Sequence, residues 1–289
     1  MVHYACCRTP EEYDRGYANR ITPEVVARWE TEFRGRSREL LASRAPRCEL
    51  AYGGHARQRI DFFPAPGAGR GAPTLIAFHG GLWFLFDRWM MHALVSAFTA
   101  AGVHVACPGY RLAPEVPLSA IVDDCRRAVL HLHARADELG IDSSRFTVLG
   151  HSAAGQLAAT TAFARWRALA PASGFDGLRR WIGVSGFHDI EPFALTRFQD
   201  QVRFSAEDYA DYNPLRLTRP GLPPALLITG GKESELLHEM AEQLGARLGQ
   251  AGVRHRLLDS AGDCHFSVLA ALGDPETAVH REALLWVKN

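Results

Sequence analysis

A serine in the middle of the chain has neighbours suited to nucleophilic chemistry. Ser152 lies between residues 145–149, an apolar and β-branched run that predicts a buried strand, and the alanine-rich stretch 156–163, which predicts a helix. A serine flanked by small residues at a sharp strand-to-helix turn is typical of a nucleophile elbow, G-x-S-x-G. Gly150 fits this pattern, whereas Ala154 replaces the second glycine. The sequence therefore predicts an elbow that departs from the pattern by one methyl group.

A serine hydroxyl needs a base within hydrogen-bond reach and a third group that orients the base. In sheets that carry such an elbow, the chain order is serine, acid, histidine. His265 is the candidate base because it lies in a loop late in the chain. His255 falls in a predicted strand and His280 in a predicted helix, so neither is favoured as the base. His238 lies on the predicted helix 236–248 and is a weaker competitor.

The candidate acid follows another predicted strand, 225–229. Glu233 is preferred to Glu235 because it lies closer to the end of that strand. Asp259 and Asp263 stay as alternatives, although Asp263 is only two residues from the candidate histidine.

Donors for a developing oxyanion are expected from backbone N–H groups. Gly80 and Gly81 follow a predicted strand, where backbone without side chains can approach a substrate closely, and Ala153 follows the candidate serine. We further predict four residues that contact the substrate: His79, Trp83, His151 and Phe187. An aromatic pocket wall would favour an aryl or otherwise apolar substrate. Arg111 and Glu115 are candidates for recognising its polar end.

The elements that must position these residues alternate along the chain. Apolar runs predict strands at 48–52, 58–63, 74–78, 103–107, 145–149, 181–185, 225–229 and 255–258. Helices are predicted within 11–45 and at about 89–101, 119–139, 156–163, 236–248 and 276–286. This alternation indicates an α/β fold with a mostly parallel central sheet and helices on both faces.

Reactive groups in such sheets gather at the carboxyl ends of the strands. His79, Ser152, Glu233 and His265 all fall just after predicted strands, so one edge should collect them. We expect a single domain over 1–289, with a helical N-terminal lead-in at 1–45 and a small cap insertion at 190–213.

Composition limits the other classes of function. The formal net charge is +0 and 47% of residues are hydrophobic, so we expect a small-molecule substrate and neither nucleic acid nor a membrane as partner. The N-terminus has no signal-like apolar core, which predicts a cytoplasmic protein, and a homodimer stays open. We expect no metal site, no cofactor and free thiols at six scattered cysteines: Cys6, Cys7, Cys48, Cys107, Cys125 and Cys264. Cys264 beside His265 could form a nucleophile pair, but a packing role is favoured.

Several motifs carry a resemblance to a known family. They are Tyr17-Ala18-Asn19-Arg20, His79-Gly80-Gly81-Leu82-Trp83, Gly150-His151-Ser152-Ala153 and His265-Phe266-Ser267-Val268. With these motifs the chain resembles α/β-hydrolases and, within that fold, the kynurenine formamidase (arylformamidase) family over nearly its whole length. The stretch Tyr110-Arg111-Leu112-Ala113-Pro114-Glu115 is similar to hormone-sensitive-lipase-like esterases. The departures are Ala154 in the elbow, Glu233 where the family usually has Asp, and Leu82 at an often aromatic place.

The resemblance implies a serine hydrolase whose acyl group is formyl and whose substrate is N-formylkynurenine or a related aryl formamide. The nearer alternative is a carboxylesterase, or a biosynthetic acyl-transfer or cyclisation enzyme, that uses the same residues. The remote alternative is a non-catalytic small-molecule receptor.

Overall fold

The computed structural model describes residues 4–44 and 48–289. Its strands are β1 (Cys48–Ala51), β2 (Arg59–Phe63), β3 (Thr74–Phe78), β4 (His104–Pro108), β5 (Phe146–His151), β6 (Arg180–Val184), β7 (Ala225–Gly230) and β8 (His255–Ser260). They form one sheet in the order β1-β2-β4-β3-β5-β6-β7-β8. β1, β2 and β4 pair antiparallel, and every later neighbouring pair is parallel. The predicted mostly parallel sheet is confirmed.

Helices connect the strands and cover both faces. The α-helices are α1 (Pro10–Ala18), α2 (Pro23–Ser43), α3 (Val95–Ala100), α4 (Leu118–Ala134), α5 (Ala136–Leu139), α6 (Ala153–Ala162), α7 (Trp166–Leu169), α8 (Gln199–Val202), α9 (Ala206–Asp211), α10 (Pro214–Leu217), α11 (Glu235–Gln250), α12 (Ser267–Leu272) and α13 (Ala278–Lys288). Short 3₁₀ helices lie at Arg88–Leu94, Ser143–Arg145, Pro171–Ser173 and Pro192–Leu195. None of the helices described is both long and apolar enough to cross a membrane.

The central strands are continuous apolar runs because both of their faces are covered. Every residue of β3, β5, β6 and β7 is buried. Separate hydrophobic clusters lie on the two sides of the sheet: Trp83, Leu157 and Phe187 belong to one, and Leu94 and Phe266 to the other. The sheet therefore presents its carboxyl edge between two packed layers, which is where the loops after the strands meet.

Three predicted helices differ from those in the structure. The helix expected from about 89 begins as a 3₁₀ helix, with the Asp87 side chain accepting from the Arg88 N–H, before it becomes α3. The helix expected over 119–139 divides into α4 and α5 at Arg135. The helix expected from 156 begins three residues earlier, at Ala153, because the turn at Ser152 leads directly into α6.

The N-terminal lead-in is helical over most of 1–45; residues 1–3 and 45 lie outside the described residues. α1 starts with a capping box in which Thr9 accepts from the Glu12 N–H and the Glu12 side chain accepts from the Thr9 N–H. α2 is tied to the domain through Ser37, whose hydroxyl lies 2.8 Å from His92 Nδ1. The lead-in therefore packs on the domain and does not extend away from it.

The segment 190–213, predicted as a cap, contains short helices joined by turns. They are the 3₁₀ helix Pro192–Leu195, α8 and α9. Arg197 and Phe198, which lie between the 3₁₀ helix and α8, line the cavity described below. Asp189 precedes the segment and Asn213 ends it. The Asp189 carboxylate accepts hydrogen bonds from the Tyr4 hydroxyl and the Asn213 side-chain amide, which joins the two ends of the segment.

Candidate active site

Ser152 lies at the turn between β5 and α6. Its backbone has φ 59° and ψ −129°, a conformation rare outside glycine and typical of a strained elbow. The Ser152 N–H donates to the Val184 carbonyl at 2.8 Å, which fastens the turn to β6. α6 passes so close to β5 that a Cβ on Gly150 would lie 1.8 Å from the Ala154 carbonyl oxygen. Only glycine fits at position 150.

The structure brings Ser152, His265 and Glu233 into one hydrogen-bonded chain. His265 Nε2 lies 2.8 Å from Ser152 Oγ, and His265 Nδ1 lies 2.5 Å from Glu233 Oε1. Because the carboxylate faces Nδ1, that nitrogen carries the proton and Nε2 is free to accept from the serine hydroxyl. All three side chains are buried, at about 5% exposure. This geometry suits a serine activated by an oriented histidine.

Both oxygens of Glu233 are held by hydrogen bonds. Oε2 accepts from the Gly230 N–H at 2.8 Å, and Oε1 also accepts from Asn19 Nδ2 at 2.9 Å. Burial by itself would raise the pKa of Glu233, but hydrogen bonding and the charge of His265, with the Gly230 N–H, lower that pKa below its usual value. Glu233 is therefore ionised at neutral pH, and one extra methylene relative to Asp does not prevent it from reaching the histidine.

The alternative acids lie away from this chain. Glu235 and Asp259 are exposed. Asp263 accepts from the hydroxyls of Ser260 at 2.6 Å and Ser267 at 2.7 Å.

Two of the competing histidines bond elsewhere, and neither the third nor the cysteine belongs to the hydrogen-bonded chain. The ring of His280 bonds the Leu272 carbonyl, that of His255 faces the Val253 carbonyl, and His238 lies within α11. Cys264 is a free thiol, like the other four cysteines whose side chains are described: Cys6, Cys7, Cys107 and Cys125. The side chain of Cys48 is outside the described part.

The turn after β3 lies against the serine. A Cβ on Gly80 would be 3.0 Å from Ser152 Cβ, so the backbone of this turn borders the hydroxyl. Gly81 has φ 114°, and a Cβ there would be 2.3 Å from the Leu85 carbonyl oxygen, so the position requires glycine. Ala153 is the first residue of α6, where backbone N–H groups have no partner within the helix. The turn after β3 and the first residue of α6 thus both border the serine, and Gly81 lines the same cavity as Ser152.

His79 and Trp83 do not line the cavity, contrary to the prediction that they contact the substrate. His79 is fully buried and stacks on Tyr110 with ring centroids 4.2 Å apart, and its Nδ1–H donates to the Gly80 carbonyl at 2.7 Å. Burial lowers the pKa of His79 to about 4, so the ring stays neutral. Trp83 is fully buried and donates to Gln156 Oε1 at 3.0 Å. Both rings therefore belong to the core beside the turn after β3 and do not face the cavity.

His151 and Phe187 do border the cavity. His151 Nε2–H donates to the His265 carbonyl at 2.7 Å, which fixes the backbone of the candidate base. Burial, together with repulsion from His265, lowers the pKa of His151 to about 3, so this ring is neutral as well. Phe187 packs edge-on against Tyr17.

The cavity in front of Ser152 measures about 410 Å³ and is mainly apolar. Its aromatic and aliphatic wall comprises Tyr17, Ile21, Val26, Leu82, Phe84, Leu85, Phe86, Met90, Phe187, Phe198 and Phe266. The charged side chains that border it are Glu30 and Arg197, and the two histidines of the site, His151 and His265, add polar ring atoms. A space of this size fits a small apolar or aromatic ligand.

Arg111 and Glu115, proposed for polar recognition, are engaged elsewhere. Arg111 makes a two-pronged ion pair with the buried Asp124, at 2.8 and 2.7 Å. Glu115 lies 3.3 Å from His55 Nε2. Neither lines the cavity.

The sequence did not reveal what the lead-in contributes. Tyr17, Ile21 and Val26 form part of the cavity wall, and Asn19 donates to Glu233. For Tyr17 and Asn19 the signal is the motif Tyr17-Ala18-Asn19-Arg20, whose family resemblance does not by itself show what these side chains contact.

Comparisons with known proteins bear on the fold and on the class of the protein. Residues 75–175 match a family described as alpha/beta hydrolase fold. Over 231 residues the chain is 23% identical to a kynurenine formamidase of Danio rerio, covering 78% of this chain and 76% of that one. Over 213 residues it is 33% identical to the carboxylic ester hydrolase LipN of Mycobacterium tuberculosis, covering 65% of this chain and 55% of LipN.

Among solved structures, a protein from Silicibacter sp. TM1040 provisionally named a thioesterase superposes with a TM-score of 0.75 at 26% identity. That match covers 93% of this chain and 97% of the other. The protein has the α/β-hydrolase fold. It is a hydrolase, similar to kynurenine formamidases and to carboxylesterases.

Proposed function

We propose that the protein is a serine hydrolase that cleaves an acyl bond with Ser152 as nucleophile, His265 as base and Glu233 as orienting acid. The observation that carries this proposal is the hydrogen-bonded chain of these residues, in which Ser152 and His265 line an apolar cavity. Each neighbouring pair is within the distance that proton transfer or orientation needs.

In the first half of the reaction, His265 Nε2 takes the hydroxyl proton while Ser152 Oγ attacks the acyl carbon. The Glu233 carboxylate stabilises the imidazolium that forms. The N–H groups of Ala153 and Gly81, with Gly80 beside them, receive the negative oxygen, and the N-terminus of α6 adds its positive dipole end. His265 then protonates the leaving group, which departs and leaves an acyl-serine.

In the second half, water replaces the leaving group. His265 accepts a proton from that water, the hydroxide adds to the acyl carbon, and collapse returns the proton to Ser152 as the acid product leaves. No step requires a metal or an organic cofactor.

We further propose an aryl formamide, with N-formylkynurenine as the first candidate, as the preferred substrate. The aromatic wall suits an aryl leaving group, and the similarity to kynurenine formamidases extends over three quarters of the chain. The products would be formate and an aryl amine. A carboxylesterase is the second candidate, favoured by the 33% identity to LipN.

The experiment compares kcat/KM for N-formylkynurenine and short p-nitrophenyl esters, using wild type, Ser152→Ala and Cys264→Ala. Ser152→Ala should lower turnover of the preferred substrate by several orders of magnitude, because triad members act as a unit. Cys264→Ala is the matched control beside His265 and should keep wild-type rates.

A preference for the formamide that is lost in Ser152→Ala supports the whole proposal. Ester cleavage without formamide cleavage discards the substrate and retains the serine mechanism. Wild-type turnover by Ser152→Ala would contradict the mechanism, because Ser152 would then not be the nucleophile.

A further inference from the structure

We propose that Asn19 is a positioning residue for the acid of this site: its side-chain amide holds the Glu233 carboxylate in the orientation that His265 needs. The inference rests on the proposed function and assigns a role in it to the N-terminal lead-in.

Asn19 makes two hydrogen bonds at the end of the acid loop. Nδ2 donates to Glu233 Oε1 at 2.9 Å, and Oδ1 accepts from the Ser234 N–H at 2.6 Å. The carboxylate oxygen that receives Nδ2 is the same one that faces His265 Nδ1. Asn19 is 4% exposed, so solvent does not compete for its amide. The side chain therefore bonds both Glu233 and the residue after it, and it reaches the carboxylate oxygen that the Gly230 N–H does not.

The backbone places this amide. Asn19 ends α1 in the left-handed conformation, with φ 50° and ψ 42°, which asparagine tolerates better than most residues. Its N–H is bonded to the Arg15 and Gly16 carbonyls, and the Ser234 hydroxyl donates to the Gly16 carbonyl at 2.8 Å. These contacts fasten the corner between α1 and α2 to the loop that carries the acid.

A glutamate has particular need of this support. It has one more rotatable bond than aspartate, so more side-chain conformers compete with the one that faces His265 Nδ1. The Gly230 N–H fixes Oε2, and the Asn19 amide fixes Oε1. The amide also stabilises the ionised form, in which Glu233 orients the histidine.

Asn19→Asp is the sharpest variant because it keeps the shape, the tolerance for the left-handed backbone and an acceptor for the Ser234 N–H. It replaces the donor facing Glu233 with an oxygen. Asn19→Ala removes both hydrogen bonds. Thr9→Ala is the matched control, since it removes the N-cap of the same helix, 3.3 Å from the Glu12 N–H, without touching the site.

We expect Asn19→Asp and Asn19→Ala to lower kcat by about tenfold to a hundredfold, the effect of losing one hydrogen bond to a charged group. KM should change by less than about twofold, because Ala18 and Ile21 border the cavity and Asn19 does not. Removing a donor that favours the ionised carboxylate raises the pKa of Glu233, so the acid limb of kcat/KM should move to higher pH. The added negative charge makes this shift larger in Asn19→Asp. Thr9→Ala should show neither effect.

A wild-type kcat and acid limb in Asn19→Asp would overturn the assignment. The same holds if Thr9→Ala reproduces the changes, since Asn19 would then only support the fold.

A second readout does not depend on turnover. The downfield proton resonance of the His265–Glu233 hydrogen bond should shift in Asn19→Asp and stay unchanged in Thr9→Ala. If wild type turns over no faster than Ser152→Ala, the proposed function fails, yet this resonance still decides whether Asn19 acts on Glu233. An unshifted resonance would contradict the inference.

Discussion

Ala154 carries the methyl group by which the elbow departs from G-x-S-x-G. It is the second residue of α6 and is fully buried among the apolar residues around this helix. The crowded position of the turn is instead Gly150, where a side chain would meet the Ala154 carbonyl. An alanine at position 154 is therefore compatible with the turn, because the position that must lack a side chain is Gly150.

This difference predicts opposite outcomes at the two positions. Gly150→Ala should lower the free energy of unfolding by about 3 kcal/mol and reduce activity strongly, because the added Cβ must displace backbone. Ala154→Gly should keep the elbow and most of the activity, with a stability loss of about 1 kcal/mol from the helix position. Urea unfolding and ester hydrolysis measure both. A stable, active Gly150→Ala protein would contradict this account of the turn.

The members of the hydrogen-bonded chain can be predicted from the sequence because their chemistry and their place after a strand coincide. Ser152 and His265 are of this kind, and the choice of Glu233 over Glu235 followed from nearness to the strand end. The sequence does not show where the side chains of His79 and Trp83 point, since a side chain beside a glycine turn can face either the cavity or the core. Asn19 lies 214 positions from Glu233, and no local pattern links residues so distant in the chain.

At the scale of elements, α2 is joined to the sheet by a second chain of serine, histidine and aspartate. Ser37 Oγ lies 2.8 Å from His92 Nδ1, and His92 Nε2 lies 3.0 Å from Asp61 Oδ2, which also pairs with Arg88. In this network the serine faces Nδ1 of His92 and the aspartate faces Nε2, whereas at His265 the serine faces Nε2 and the acid Nδ1. Ser37 also lies inside α2, where the backbone N–H groups donate to carbonyls of the same helix. This network holds a cavity wall in place and offers no oxyanion donors.

The strands and most helices were predictable because alternating apolar runs and helical periodicity are strong signals. The contribution of the lead-in to the cavity was not, since amphipathic helices 1–45 reveal a buried face but not the surface that it packs against. For the same reason the sequence does not show which residues of the segment 190–213 line the cavity.

At the scale of the molecule, several histidines are buried as neutral rings. The pKa of His79 is lowered to about 4, and the pKa values of His151 and His188 to about 3, chiefly because burial disfavours the charged form. In the unfolded chain each would titrate near its ordinary value of about 6.5. Between these values the unfolded state binds more protons than the folded state, so acid favours unfolding.

The free energy of unfolding should therefore be highest above about pH 6.5 and fall on acidification toward pH 4, by at most about 1.4 kcal/mol per pH unit for each of these histidines. Urea unfolding at a series of pH values between 4 and 8, at constant ionic strength, measures the slope. His188→Gln, away from the hydroxyl of Ser152, should have a shallower slope than wild type. A stability that is flat from pH 7 to pH 5 would be inconsistent with the neutral buried rings.

The central claim is that one serine, Ser152, is the nucleophile. Intact-mass analysis after fluorophosphonate treatment of wild type, Ser152→Ala and Ser37→Ala tests it most directly, because only a serine with an oriented base and oxyanion donors reacts. The account predicts a single adduct on wild type and on Ser37→Ala, and none on Ser152→Ala. An adduct that persists in Ser152→Ala, or folded wild type that stays unlabelled, would contradict it, and the second result would favour a non-catalytic receptor.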